Sequence, residues 1–552
     1  MPDYFDLGDY RRTITTSSPE AQLWFDRGLN WAYGFNHEEA VRCFKHALEA
    51  DPDCPMAYWG IAYAAGPNYN LRWDVMRPPV VAQTVAVTHE AAQKALALSD
   101  RASAAERALI LAVQSRAPQP VPVDDCSVWN DAYADAMRPV YRDFGDDLDV
   151  AALFADALMC RTPWELWDLE NRRPAEGADT AETQQVLERA FLNPASQAHP
   201  GVLHMYIHLL EMSPFPEKAL RAADWLRDLV PDAGHLRHMA THIDVLCGQY
   251  HDVVDSNHAA ILVDRKFLER VGPHNFYTFY RIHDLHFKLY GAMFLGQQAV
   301  ALETADELLA NIPREALLVQ EPIPMADFLE NYATVKLHVM IRFGMWQEII
   351  DTPLPDDPDL YCVTTATAHY AKGLAYAATG RVAEAEEQQR LFQQAVLRVP
   401  ESRMATLTSS SLEVLEIARE MLAGEVDYRK GNVDEAFDYL RRSIALYDGL
   451  KYAEPWGWMQ PVRHAYGALL LEQDRLEEAE AVYRADLGLD GTLARSFQHP
   501  ENVWSLHGYH EALMRQGKHA FCGIIKQQLD IAAARADISI ESSCFCRLET
   551  AA

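Results

Sequence analysis

Apolar and small residues recur along the chain at spacings of three and four, which is the period of an amphipathic α-helix. The segments "FPEKALRAADWLRDLVPD", "GQYHDVVDSNHAAI" and "GQQAVALETADELL" each follow this pattern behind a Gly or Pro turn. The alternation of apolar and polar residues that is typical of strands is absent from the sequence. The pattern predicts an all-α chain built from helical hairpins.

A fixed set of small and aromatic residues marks one of these hairpins and then returns. In "AQLWFDRGLNWAYGFNHEEAVRCFKHALEADPD", six residues fall at the spacings of a tetratricopeptide unit, a pair of antiparallel helices that cross closely: Trp24, Gly28, Ala40, Phe44, Ala47 and Pro52. The Gly-x11-Ala core of that unit recurs as Gly373/Ala385, Gly424/Ala436, Gly467/Ala479 and Gly508/Ala520. We therefore predict a tetratricopeptide-like solenoid over nearly the whole chain.

The predicted hairpins fall into three segments. Residues 1–200 are predicted to form N-terminal hairpins, residues 201–310 His-rich hairpins that form a groove, and residues 311–552 C-terminal hairpins. The Pro- and Asp-rich breaks near residues 171 and 355 are too short to act as flexible linkers. We expect one continuous superhelix.

Composition excludes several classes of partner. The chain has 80 acidic and 49 basic residues, a formal net charge of −31, which argues against nucleic-acid binding because phosphates require a clustered basic face. We expect no signal peptide and no membrane span, since the N-terminus lacks an apolar stretch and no long apolar run occurs. The nine cysteines, which are scattered except for Cys544 and Cys546, fit a reducing compartment, so the predicted location is the cytoplasm.

Histidine is concentrated in one window, with eleven of the 21 residues between His199 and His286. In tetratricopeptide register, eight side chains fall at positions 2, 5, 9 and 12 of three successive first helices: His204, His208 and Glu211; His235, His238 and His242; and His283 and His286. In the proteins that the chain resembles, those positions line the concave groove. We therefore predict that the seven histidines bind metal, because residues four apart share a helix face and can chelate one ion.

The predicted ligand set favours a transition metal over calcium or magnesium, because it is rich in imidazole. Iron or copper is favoured, zinc or manganese remains possible, and either one or two ions can be accommodated. An open site of this kind suits the activation of water or dioxygen. The sequence thus predicts a metal-dependent oxidoreductase acting on a small organic substrate. A zinc-dependent hydrolase or lyase, and a non-catalytic scaffold that binds a peptide or protein, are the alternatives; homo-oligomerisation stays open.

Polar and aromatic residues around the histidines are candidates for the same site. Glu211, Tyr206 and Tyr280 are predicted to have catalytic roles, the tyrosines as proton donors. Predicted substrate-binding residues are Trp59, Asn68, Asn70, Trp164, Trp167, Tyr277 and Tyr290. For the tryptophans, packing in the core is the competing interpretation.

The segments "AYWGIAYAAGPNYN", "PWELWD", "HMYIHLLE", "AGHLRHMATHI" and "YAEPWGWMQPVRHAYGALLL" resemble those of large tetratricopeptide-repeat proteins of bacteria and fungi. The resemblance extends over nearly the full length, and its His-rich segments are the distinctive part. It implies the solenoid fold and the groove, and leaves the reaction open.

Overall fold

A computed structural model of the chain describes residues 4–321 and 323–547. Its described residues are mainly helical, and the helices pair as tetratricopeptide-like hairpins, so the predicted all-α fold is confirmed. Among the described residues, we find no helix whose length and apolar character would let it span a membrane.

The helices in the first half of the chain are α1 (Pro19–Tyr33), α2 (His37–Ala50), α3 (Pro55–Ala65), α4 (Pro78–Ala97), α5 (Ala104–Val113), α6 (Val128–Phe144), α7 (Leu148–Met159), α8 (Thr180–Ala190), α9 (Pro200–Leu210), α10 (Leu220–Leu226), α11 (Gly234–His238), α12 (Thr241–Leu246) and α13 (Tyr250–Val271). The helices that follow are α14 (Thr278–Leu295), α15 (Gln298–Ala310), α16 (Arg314–Leu317), α17 (Met325–Leu329), α18 (Val335–Arg342), α19 (Trp346–Asp351), α20 (Cys362–Ala378), α21 (Val382–Val396), α22 (Ser411–Arg429), α23 (Val433–Asp448), α24 (Val462–Glu472), α25 (Leu476–Asp486), α26 (Val503–Arg515) and α27 (His519–Ala533).

The chain divides into two compact units. Of the described residues, the first unit holds 4–243, 259–281, 321 and 323, and the second holds 244–258, 282–320 and 324–547. The predicted division at residues 200 and 310, and the single superhelix, stay predictions.

Close helix crossings in the first unit depend on glycine. The Phe44 ring on α2 lies between Gly28 on α1 and Gly60 on α3, where an added Cβ would come within 2.6 Å and 2.7 Å of ring carbons. No side chain fits at either glycine without displacing the ring, which is buried completely. These contacts hold three successive helices together and account for the spacing seen in the sequence.

The second unit repeats this arrangement near its end. Tyr483 on α25 lies against Gly467 on α24 and Gly508 on α26, and a Cβ at either glycine would overlap the ring. Leu440 on α23 approaches Gly424 on α22 in the same way. Cys544 and Cys546, which follow α27, are joined by a disulfide.

One short pair of strands interrupts the helices. Strand β1 (Trp167–Asp168) pairs antiparallel with β2 (Arg173–Pro174), with Trp167 opposite Pro174. The sequence pattern indicated only a loop break here, because two residues are too few to produce a visible alternation.

Candidate functional site

Helix α9 carries the first part of the histidine cluster. The helix begins at Pro200, which suits the first helical position because proline has no amide hydrogen to satisfy there. The Nδ1 atom of His199 caps the helix by accepting the Val202 amide hydrogen at 3.2 Å. His204 and His208 follow one turn apart, and Glu211 is the C-cap residue. These last three side chains are completely buried.

Two short helices carry the remaining histidines of the first unit. Helix α11 ends at His238, and α12 begins at Thr241, so a two-residue turn separates His235 and His238 from His242. All three imidazoles are at most 2 % exposed. The ring centroids of His204 and His235 are 5.1 Å apart, and those of His208 and His242 are 5.5 Å apart. The structure thus brings five of the predicted ligands together.

Hydrogen bonds define which ring nitrogen carries the proton in three of these imidazoles. His204 Nδ1 lies 2.5 Å from the carbonyl oxygen of Tyr33, and His208 Nδ1 lies 2.9 Å from Oε1 of Glu211. His242 Nδ1 lies 2.6 Å from Oε2 of the same carboxylate. Carbonyl and carboxylate oxygens accept hydrogen bonds, so each Nδ1 is the donor. In the neutral rings, the lone pair is therefore on Nε2.

His238 and His242 also contact each other, with their Nε2 atoms 2.7 Å apart. With a neutral His242, the lone pair is on its Nε2 and His238 Nε2–H is the donor in this contact. The Oγ1 atom of Thr241 donates to the His238 carbonyl oxygen at 2.7 Å and lies 3.3 Å from His238 Nδ1. A tautomer change at His238 would leave its Nδ1–H facing a hydroxyl oxygen that can accept it.

Burial keeps the imidazoles of His204 and His235 uncharged. Burial lowers the pKa of His204 to about 3, against the opposing effect of its hydrogen bond to Tyr33. The pKa of His235 lies well below its ordinary value, first because of burial and then because of the neighbouring imidazoles. Among the described residues, no hydrogen-bond partner faces His204 Nε2 or either ring nitrogen of His235. An unmet polar atom of this kind costs about 1–3 kcal/mol.

Two sets of side chains in the first unit have ligand atoms within 4.8 Å of one another: His204, His208 and His235; and His208, Glu211 and His242. The second set is already explained by the two imidazole N–H groups that donate to Glu211. No hydrogen bond among the described contacts joins the three imidazoles of the first set. That set therefore remains the candidate for a metal ion.

An aromatic residue that the sequence analysis did not identify covers the cluster. The Phe35 ring stacks on His208 at a centroid distance of 5.5 Å, and it lies 4.4 Å from His204 and 5.7 Å from His235. Phe35 has a φ of 56°, which non-glycine residues rarely adopt. Periodicity carries no signal for such a turn, although the position directly precedes the "NHEEA" segment of the repeat.

Several predicted pocket residues lie beside the cluster. The Tyr280 ring is 4.4 Å from His235, and Asn70 Nδ2 donates to its hydroxyl at 3.3 Å. Burial raises the pKa of Tyr280 well above its ordinary value. The Tyr277 hydroxyl accepts the backbone amide hydrogen of His235 at 3.1 Å and donates to Asp264 at 3.0 Å. These contacts position α11.

Other predicted pocket residues have structural contacts. Trp59 stacks on Tyr63 at 5.4 Å, and Trp167 Nε1 donates to the Leu209 carbonyl oxygen at 2.7 Å. Tyr206 packs on Phe191 at 4.8 Å, and burial raises the pKa of its hydroxyl to about 12.

Two further predicted residues lie in or near turns. The Oδ1 atom of Asn68 accepts the amide hydrogens of Asn70 and Leu71, which closes a turn. Trp164 has a φ of 66°, and its ring lies 6.4 Å from that of His208.

The last three predicted residues belong to the second unit. His286 Nε2 contacts the Met459 sulfur at 2.7 Å, and burial lowers the pKa of this imidazole to about 3. The ring of His283 is 5.2 Å from that of Phe287, and Tyr290 packs on Phe294 at 4.7 Å. The roles predicted for them stay predictions.

No known protein family and no curated protein matches the chain. Solved structures of similar fold include the anaphase-promoting-complex hetero-tetramer Cut9–Hcn1, with 11 % identity, 93 % of this chain and 87 % of that chain covered, and a TM-score of 0.29. Yeast Tom70 is similar at 12 % identity, with 93 % of this chain and 95 % of Tom70 covered and a TM-score of 0.26. The structure of Naa15/Naa10 bound to HypK is similar at 11 % identity, with 93 % of this chain and 75 % of that chain covered and a TM-score of 0.21.

The buried site corrects the functional prediction. The predictions of a metal-dependent oxidoreductase, of a hydrolase or lyase at the same site, and of a small-molecule substrate are wrong. The physical reason is burial, because His204, His208 and His238 are completely buried where an open groove was expected. The predicted metal and the cytoplasmic location stay predictions.

Proposed function

We propose that the chain is a non-catalytic tetratricopeptide scaffold that binds an α-helix of a protein partner on helix α27. The observation that supports this proposal is the exposure of Ile524, which occupies a register position that is buried in three other hairpins. Ile524 is 63 % exposed. Its counterparts on α2, α23 and α25 are fully covered.

The register follows from the crossing glycines. Phe44, Leu440 and Tyr483 each lie sixteen residues after the glycine of their own hairpin, and Ile524 lies sixteen residues after Gly508. The first three side chains are 0 % exposed. Phe44 and Tyr483 are covered by the first helix of the following hairpin, α3 and α26 respectively, which presents a glycine to the ring.

Apolar exposure on α27 extends beyond Ile524. Phe521 and Ile531 are 63 % and 58 % exposed and lie on the same face of the helix at spacings of three and seven from Ile524. Ala520 is exposed, whereas its counterparts Ala385, Ala436 and Ala479 are completely buried. An exposed apolar stripe of this kind commonly marks an interaction site, and in a stack of hairpins it favours a further helix as its cover.

The segment after α27 packs elsewhere in the second unit. Ile540 lies beside Gly296, the Phe545 ring is 5.8 Å from that of Trp504, and Arg547 Nη1 donates to Glu511 at 2.7 Å. The stripe is exposed with this segment in place. In two of the covered hairpins, the next helix presents a glycine to the equivalent side chain. The partner segment that fits α27 in the same way is an amphipathic helix of another protein with a small residue opposite Ile524.

Site-specific photo-crosslinking in cells tests this proposal. A benzophenone amino acid replaces Phe521, and the control carries the same group at Leu397, which is 87 % exposed on a different hairpin. We expect one discrete adduct with a different protein from position 521, absent from position 397, and lost when Ile524→Glu is added. Identical adducts from both positions, no adduct, or an adduct between two copies of this chain would each overturn the proposal.

A further inference from the structure

We propose that His204, His208 and His235 bind one divalent transition-metal ion of the zinc class, which ties α9 to α11. One ring nitrogen of each residue lies within 4.8 Å of the others. Ligands about 2.1 Å from one ion are separated by about 3.4 Å in tetrahedral geometry, so small ring movements bring these nitrogens to bonding distance. This inference does not depend on partner binding at α27.

The hydrogen bonds around α9 orient two of the rings as metal ligands. Histidines that bind metal usually donate their other ring N–H to a carboxylate or a backbone carbonyl, which fixes the tautomer. His204 Nδ1 donates to the Tyr33 carbonyl at 2.5 Å, and His208 Nδ1 donates to Glu211 at 2.9 Å. Each of these rings therefore has its lone pair on Nε2, the atom available to an ion.

The third ring supplies an independent observation. His235 is 2 % exposed, and neither of its nitrogens has a hydrogen-bond partner among the described residues. The rings of Phe35 and Tyr280, at centroid distances of 5.7 Å and 4.4 Å, pack against this imidazole. A buried imidazole without hydrogen bonds is costly to maintain, and a metal bond to its lone pair removes the share of that cost that comes from the acceptor nitrogen.

Glu211 supplies a second contact that is typical of metal sites. It is completely buried, and its Oε1 accepts the His208 Nδ1–H at 2.9 Å. The carboxylate–histidine–metal order is common in metal sites, where the carboxylate orients the ring.

The donor set defines the class of metal. Three imidazole nitrogens suit Zn²⁺ and related first-row ions and do not suit Ca²⁺ or Mg²⁺, which prefer oxygen. All three side chains are almost fully buried, as expected for a site that stabilises a fold. We assign the ion a structural role.

Asparagine variants test the site without removing the hydrogen bonds around it. In His204→Asn and His208→Asn, the amide nitrogen takes the place of Nδ1 and can still donate, whereas the Nε2 ligand is lost. His37 provides a matched control, because its Nδ1 lies 3.1 Å from the Ala64 carbonyl oxygen and its buried Nε2 has no hydrogen-bond partner among the described residues. His37 belongs to none of the candidate metal groups found among the described residues.

The experiment titrates the chelator-treated full chain with ZnCl₂ and measures stoichiometry by elemental analysis and affinity by calorimetry. We expect about one Zn²⁺ per chain in the wild type and in His37→Asn, and an affinity loss of more than about 100-fold in the two ligand variants, since removing a mere supporting contact already costs about 10–100-fold. No Zn²⁺ binding in the wild type, or equal affinity in all four proteins, would overturn the proposal.

A second measurement keeps the proposal testable if a ligand variant does not fold. X-ray absorption at the zinc edge of the loaded wild type counts its imidazole ligands. Three imidazoles support the site, and one or none contradicts it.

Discussion

His242 Nδ1 lies 2.6 Å from Oε2 of Glu211, although the two residues are 31 positions apart in the chain. Both side chains are buried, at 1 % and 0 % exposure. The hydrogen bond fastens the end of α9 to α12 and, together with the His208 contact to the same carboxylate, fixes the orientation of two imidazoles. Glu211 is thus the polar centre of the cluster.

Replacing Glu211 is therefore expected to destabilise the first unit. In Glu211→Met, a side chain of similar length leaves two buried imidazole N–H groups without their acceptor. We expect a loss of about 2–5 kcal/mol in the free energy of unfolding, measured by urea titration in the presence of a chelator. The control Glu49→Met changes a side chain that is 73 % exposed and should stay within about 0.5 kcal/mol. A loss below about 1 kcal/mol for Glu211→Met would contradict this account.

Buried histidines make stability depend on pH. Burial lowers the pKa of His338 to about 4, against about 6.5 in the unfolded chain. Between these values the unfolded state binds more protons, so this residue's contribution is complete above about pH 6.5 and declines as the pH falls toward 4. From pH 7 to pH 5 we expect His338 to account for about 2 kcal/mol of lost stability.

The measurement for His338 compares urea titrations at pH 7 and pH 5. His338→Gln should reduce the loss of stability between pH 7 and pH 5 by about 2 kcal/mol, whatever its effect on stability at pH 7. Equal pH dependence in wild type and His338→Gln would show that the imidazole is not held neutral.

Alanine substitutions at the equivalent register positions 440 and 524 are expected to differ in their effect on the free energy of unfolding, because Leu440 is covered and Ile524 is not. Leu440→Ala removes a completely buried side chain and should cost about 2–5 kcal/mol. Ile524→Ala, at 63 % exposure, should cost less than about 1 kcal/mol. Urea titration of the isolated chain measures both. Similar losses for the two variants would mean that α27 is covered in solution, as by a second copy.

The glycine crossing at Phe44 gives a further prediction. In Gly60→Ala, the new methyl group would lie 2.7 Å from the Phe44 ring, and we expect a loss of about 1–3 kcal/mol from overpacking. Gly523→Ala is the matched control, because nothing lies within 4 Å of its added Cβ; there the substitution should stabilise α27 by up to about 1 kcal/mol.

A double-mutant cycle isolates the Gly60 contact. Combining Gly60→Ala with Phe44→Leu should cost less than the sum of the two single changes, because the smaller side chain leaves room for the methyl group. If the two losses in the free energy of unfolding were additive, the strain caused by Gly60→Ala would not arise at the Phe44 ring.

The sequence by itself determined the hairpins and their register. Gly28, Phe44, Gly467 and Gly508 could be assigned to close crossings because spacing within a helix pair follows the local period of 3.6 residues. The same period placed His204 and His208 on one face of a helix. Stretches without a period, such as the turn at Phe35 and the two short strands, produced no signal in the sequence.

Only the tertiary structure decided which of these side chains meet and which are exposed. The approach of His235 to His204, and of His242 to Glu211, depends on how α9, α11 and α12 pack, which involves contacts between distant parts of the chain. Residues with the same local sequence pattern also differ in burial, since Tyr483 is covered by the helix that follows and Ile524 is not. Helical periodicity sets the direction of a side chain from its own helix, whereas its surroundings are set by every other helix that packs against it.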